Sequence, residues 1–128
     1  MILDTSAVVA VFCQEPAFEG LLDKLAAAEG LGMGTPTIVE TAIVLTARLR
    51  QDATGLLERF LQEFAVEPVP FAAPHWREAH DAYVRFGKGR HRAQLSFGDC
   101  MSYATAKLAR RPLLCVGNDF RRTDIDIA

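Results

Sequence analysis

The stretch Met1-Ile-Leu-Asp-Thr-Ser-Ala-Val-Val-Ala-Val-Phe-Cys13 decides how the rest of the chain is read. Met1 to Leu3 is a short apolar run, which predicts a buried strand. Asp4 ends it. Ser6 to Cys13 then reads as a short helix, although its three valines lower helix propensity. A strand followed directly by a helix is the first half of a parallel βα unit, and the same grammar recurs downstream.

Gln14-Glu15-Pro16 breaks the first helix, and Pro16 suits the first turn of a second, which Gly30 stops. Leu31 to Met33 is a candidate strand. Thr35-Pro36-Thr37 opens a long helix to about Arg50, with Ile38, Ala42, Leu45 and Leu49 at helical spacing. A fourth helix follows Gln51-Asp52 and places Leu56, Leu57, Phe60, Leu61 and Phe64 on one face. Val66 to Phe71 is a third candidate strand, which its two prolines place at an edge or make short. Ala73 to Phe86 is a fifth helix and Ser96 to Leu108 a sixth, ended by Arg110-Arg111-Pro112. Pro112 to Val116 is a fourth strand, and the tail Thr123 to Ala128 is able to add a last one. Strands separated by helices imply an α/β fold, a three-layer α/β/α sandwich around a mostly parallel sheet of four or five strands. Residues 1–128 are expected to form a single domain.

Half of the 128 residues are apolar and 23% are charged, an ordinary globular balance. The net charge of −2 argues against a protein that coats nucleic acid generally. No apolar run reaches the length of a membrane span, and the start lacks a basic leader, so a cytoplasmic protein is expected. Cys13, Cys100 and Cys115 are odd in number, lack paired spacing and read as small buried hydrophobes. His75, His80 and His91 show no zinc-ligand spacing.

Four acids stand out, and each has an alternative structural explanation. Asp4 follows a strand at the end where parallel sheets bind ligands, and Asp is also a good helix N-cap. Glu40 lies three residues after Thr37, the spacing of a capping box. Asp99 suits a helix N-terminus. Asp119 lies in a Gly-Asn-Asp turn after a strand. Their combination carries more. In a parallel sheet Asp4, Glu40 and Asp119 share one edge, and Asp99 is able to join them. Clustered carboxylates repel one another. A divalent cation relieves that repulsion, and an all-oxygen set suits Mg²⁺ or Mn²⁺. Arg85, Lys88, Arg90, His91 and Arg92 then form a basic, glycine-rich loop leading into Asp99, suited to a phosphate backbone.

Four segments together resemble the PIN-domain ribonucleases, and more closely the VapC toxins of bacterial toxin–antitoxin pairs. They are MILDTSAVVAV with Glu15-Pro16, TPTIVETAIVL, GKGRHRAQLSFGDCMSYATAKL and PLLCVGNDFRRTDI, in family order over nearly the whole chain. The resemblance implies a PIN domain over residues 1–128 and a Mg²⁺-dependent endoribonuclease of a type II toxin–antitoxin system, with Mn²⁺ able to substitute. It implies Asp4, Glu40, Asp99 and Asp119 as catalytic and metal-holding acids. Ser6, Ser96, Lys88, Arg90, Arg92 and Asn118 become the implied substrate-binding set. It also implies a structured RNA substrate, transfer or ribosomal, a homodimer and a cognate VapB-type antitoxin. Ser96 stands where relatives often carry Asn, and Ile43 stands where some carry a further acid, which counts against a full second metal site. Two other readings share the broad pattern. One is a non-catalytic PIN-fold interaction module. The other is a Mg²⁺-dependent phosphatase of the haloacid-dehalogenase type, which places a second Asp where this chain has Ser6.

Overall fold

The computed structural model describes all residues 1–128. Its elements run β1 (Ile2–Leu3), α1 (Thr5–Phe12), α2 (Phe18–Ala27), β2 (Leu31–Gly34), α3 (Thr35–Leu49), α4 (Thr54–Glu63), β3 (Val66–Val69), α5 (Ala73–Phe86), α6 (Phe97–Ala109) and β4 (Leu113–Leu114), followed by a 3₁₀ turn (Phe120–Arg122). The four strands form one sheet in the order β3-β2-β1-β4, and every pairing is parallel. Ile2 lies opposite Gly32 on one side and Leu113 on the other. A single parallel bridge from Leu113 to Ile127 is the rudiment of the expected fifth strand. β3, with Pro68, lies at the edge, where a missing N–H costs no ladder bond. No helix is long and apolar enough to cross a membrane.

Two apolar clusters flank the sheet, which makes the expected three layers. One gathers Leu3, Val8, Leu25, Met33, Leu45, Leu57 and Phe60; the other gathers Ile2, Ala79, Ala82, Leu95, Tyr103, Ala104, Leu113 and Phe120. Neighbouring strand residues Ile2 and Leu3 fall in different clusters because their side chains point to opposite faces. Val8, Val9 and Phe60 are buried, Phe12 and Phe64 are half-buried against the first cluster, and Leu56 is half-buried.

Three local expectations shift. Pro16 does not start α2: Ala17 takes a left-handed conformation (φ 72) and the helix begins at Phe18. α2 ends at Ala27, three residues ahead of Gly30, which holds φ 98 in the turn. On α3 the buried stripe is Thr37, Thr41 and Leu45, one residue before the apolar Ile38–Ala42 row, which is only half-buried. The glycine-rich loop is also less free than its composition suggests. Lys88 N–H donates to the Leu95 carbonyl and Leu95 N–H to Phe86, so the two ends of the loop are tied together.

Candidate active site

β1 and β4 run side by side and deliver their chain ends to one edge of the sheet. Asp4 is 4% exposed there, its amide donating to the Leu114 carbonyl. Asp4 caps α1 through Oδ2, which accepts from Ser6 N–H at 2.9 Å and from Ser6 Oγ at 2.6 Å. Ser6 Oγ in turn accepts from Val116 N–H at 3.0 Å. Ser6 therefore links the first acid to the segment after β4, and Asp4 is both a cap and a member of the cluster.

Glu40 is not part of a capping box. Gly34 is the N-cap of α3, so Glu40 lies in the second turn, and Thr37 is fully buried with its hydroxyl 3.2 Å from Ser102 Oγ. The Glu40 carboxylate accepts from Thr5 Oγ1 at 2.9 Å instead. Burial pushes the Glu40 carboxyl above its ordinary range, the Thr5 hydrogen bond opposes this, and the charges of Asp4 and Asp99 push it further up.

The capping box belongs to α6. Ser96 Oγ accepts from Asp99 N–H at 3.1 Å, and Asp99 Oδ2 accepts from Ser96 N–H at 2.8 Å. Burial raises the Asp99 carboxyl, the Ser96 amide lowers it, and Asp4 and then Asp119 raise it again. Gly98 brings α6 close to α3: a Cβ there would overlap both carboxylate oxygens of Glu40.

Asp4, Thr5, Ser6, Glu40 and Asp99 thus line one cleft of about 210 Å³, with Val9, Val44 and Arg48 completing the wall. Asp119 stands outside that lining, exposed at the start of the 3₁₀ turn, although its charge is felt by Asp99 and Cys115. Asn118 beside it is exposed and also outside the lining. Cys115, half-buried near these acids, has its thiol pushed up to about 11, first by burial and then by Asp4. It is a poor nucleophile there. The donor set is all oxygen and electrostatically strained, which is the chemistry of a hard divalent cation site. As positioned, no three acids close on a single point, so the fit lies in donor type and mutual repulsion rather than in a finished cage.

Arg48 was not foreseen. It follows Glu40 by two helical turns and Val44 by one, so it lies on the same face of α3. Its guanidinium pairs with Glu15 at 3.1 Å. The spacing of Glu40 and Arg48 was the available signal.

The basic loop divides. Arg85 is committed to Asp124 at 3.1 Å and Asp81 at 3.4 Å, and Arg90 donates from Nε to the Val84 carbonyl while stacking on Tyr83. His91 Nδ1 accepts from Ala93 N–H. Lys88 and Arg92 are exposed and make no ion pair. Beside Ser96 opens a larger apolar groove of about 600 Å³ walled by Phe71, Trp76, Tyr83, Phe97 and Met101. Phe97 is 82% exposed and Ile43 64% exposed on the neighbouring face of α3.

A parallel sheet ordered β3-β2-β1-β4, with acids gathered beyond its carboxyl edge, is the architecture of the PIN domain, and residues 1–126 match that family. Ribonuclease VapC36 of Mycobacterium tuberculosis is 48% identical over 127 residues, covering 98% of this chain and 91% of its own length. Ribonuclease VapC30 of the same organism is 42% identical over 125 residues, covering 98% and 95%. Among solved structures, Mycobacterium tuberculosis VapC20, titled a sarcin–ricin loop cleaving toxin, has a TM-score of 0.80 at 16% identity, covering 99% of this chain and 97% of its own. A toxin–antitoxin complex from Klebsiella pneumoniae gives 0.71 at 15% identity, covering 99% and 95%. At those identities the two structures speak for the fold. The chain belongs to the PIN-domain family and, within it, to the VapC ribonucleases.

Proposed function

We propose that this protein is the toxin of a type II toxin–antitoxin pair, a Mg²⁺-dependent endoribonuclease acting on structured transfer or ribosomal RNA in the cytoplasm. The observation that carries the reading is the convergence of Asp4, Glu40 and Asp99 on one cleft at the carboxyl edge of the sheet. Asp4, Asp99 and Glu40 would hold the cation, with Asp119 at the rim. When bound, the cation, Mg²⁺ or Mn²⁺, supplies activation of water and neutralisation of charge on the scissile phosphate.

The chain's own groups do the rest. Ser6 fixes Asp4 Oδ2, and the Ser96 amide fixes Asp99 Oδ2. Lys88 and Arg92 are free to take backbone phosphates, while Arg90 braces the loop that presents them. Asn118, next to Asp119, and Ser96, bonded to Asp99, would offer hydrogen bonds to RNA. No covalent intermediate is needed, and the products carry 5′-phosphate and 3′-hydroxyl ends.

Two partner surfaces complete the reading. Val11, Phe12, Leu22, Leu56, Phe60 and Phe64 line a groove of about 370 Å³ for an apolar antitoxin segment. Val39, Ile43, Trp76 and Phe97 form the exposed apolar face for a second copy of the chain. The test is cleavage of total RNA with end mapping, comparing Mg²⁺ with EDTA and wild type with Asp4→Asn. Metal-dependent, discrete cuts lost in Asp4→Asn are expected. Cutting that persists in both Asp4→Asn and Asp99→Asn would overturn the proposal.

A further inference from the structure

Behind the cleft runs a chain of buried hydroxyls that the proposed chemistry does not use. Thr37, Thr41 and Ser102 are fully buried, and Thr5 is 9% exposed. Each threonine hydroxyl has one proton to give. Thr5 Oγ1 lies 2.9 Å from Glu40 Oε2 but 3.4 Å from the Thr37 carbonyl. Thr41 Oγ1 lies 2.8 Å from that same carbonyl and 3.0 Å from Thr5 Oγ1. Thr41 has one proton for these two acceptors: given to the carbonyl, it occupies the acceptor that would compete for the Thr5 proton; given to the Thr5 oxygen, it leaves the Thr5 proton to point away from Thr41. In either arrangement the Thr5 proton is directed onto Glu40, its nearer acceptor. On the other side, the Glu40 carboxylate packs where any side chain at position 98 would stand.

We propose that Thr41, Thr5 and Gly98 are positioning residues that clamp the Glu40 carboxylate, a hydroxyl relay gripping Oε2 and bare backbone at Gly98 leaving room for both oxygens. Only the consequence for metal affinity rests on the proposed function; the clamp itself is a statement about Glu40. Partners that orient a ligand in this way typically set affinity by about 10- to 100-fold. Thr41→Val keeps the shape and removes the hydroxyl, which frees Thr5 to turn to the Thr37 carbonyl. Thr41→Ser keeps the hydroxyl. Gly98→Ala displaces the carboxylate from the opposite side.

The experiment is a set of metal-free crystal structures of wild type and these three variants, with Mn²⁺ titrated calorimetrically into each and thermal melts to confirm folding. Wild type and Thr41→Ser should hold Glu40 in one conformer on Thr5. Thr41→Val and Gly98→Ala should displace it and weaken Mn²⁺ binding by about 10-fold or more. An unmoved Glu40 in Thr41→Val overturns the proposal, as does Mn²⁺ affinity lost equally in Thr41→Ser. If wild type itself binds no Mn²⁺, the metal reading falls, and the Glu40 conformers alone decide the clamp. If Thr41→Val does not fold, Gly98→Ala against Thr41→Ser decides it on the same readouts.

Discussion

Asp99 shows most directly how one side chain serves stability and chemistry in opposite senses. Its Oδ2 closes the capping box with Ser96, which favours α6. Burial of its charge, and then the charges of Asp4 and Asp119, oppose folding and push its carboxyl up. A carboxylate whose folded value is raised favours folding only at low pH, and that contribution is lost as pH rises through the folded value. At neutral pH the Asp99 charge is therefore less favourable in the metal-free fold than in the unfolded chain. Asp99→Asn keeps an oxygen for the Ser96 amide and removes the charge. Its metal-free melting temperature is expected at or above that of wild type, with RNA cleavage lost. Mn²⁺ should raise the wild-type melting temperature and leave that of Asp99→Asn nearly unchanged. Scanning calorimetry of both proteins, with and without Mn²⁺, checks this; a marked loss of metal-free stability in Asp99→Asn would show that the cap outweighs the repulsion.

At the scale of elements, the sequence exposes what is periodic and hides what is negotiated between neighbours. The bounds of α5 and the parallel direction of the strands follow from apolar spacing and the alternation of strands with helices, and the prolines of β3 leave an edge or a short strand, of which the structure shows an edge strand. The buried face of α3 does not, because it is polar. Thr37 and Thr41 are buried only because Thr5, Ser102 and the Thr37 carbonyl satisfy them, and those partners come from other elements or another turn. An apolar count therefore finds Leu45 but misses Thr37 and Thr41. The acids Asp4, Asp99 and Glu40 were legible as a set, whereas the Thr5–Glu40 bond and the cleft position of Arg48 needed the packing of α1 on α3. The loop after α5 hides a similar constraint. Gly87 has an ordinary extended backbone (φ −67), yet a Cβ there would overlap the carbonyl and ring of Tyr83. Gly87→Ala should destabilise the fold by about 1–3 kcal/mol, the usual cost of overpacking, read from urea unfolding. It should also loosen the bridge to Leu95 that presents Lys88 and Arg92. Unchanged stability would mean that α5 ends with more slack than its contacts show.

Across the whole molecule, ionisable groups fall into two networks with opposite pH dependence. Glu40 and Asp99 are held high, first by burial and then by neighbouring negative charge against their hydrogen bonds. Asp124 is the reverse. Burial pushes its carboxyl up, but Lys107, Tyr103 and Arg85 together overcome this and hold it well below the usual range of 3.8. This carboxylate ties the C-terminal tail to α5 and α6, so its contribution is to the closure of the fold. A depressed carboxyl stabilises above its unfolded value and loses that contribution as pH falls below roughly 4 toward the folded value. Its side chain is 41% exposed, so solvent screening keeps the effect modest. Asp124→Asn should therefore be less stable than wild type at pH 7, with the gap narrowing below pH 4. Glu40→Gln should be more stable than metal-free wild type at pH 7, and its gap should also narrow in acid, from the other side. Denaturant midpoints of the three proteins between pH 3 and pH 8 test both signs at once. If the two variants shift in the same direction at pH 7, the division of the molecule into a strained cleft and a stabilising clasp is wrong. If they diverge as expected, the acid arm of wild-type unfolding belongs to the tail, and the neutral-pH penalty belongs to the cleft that a cation would relieve.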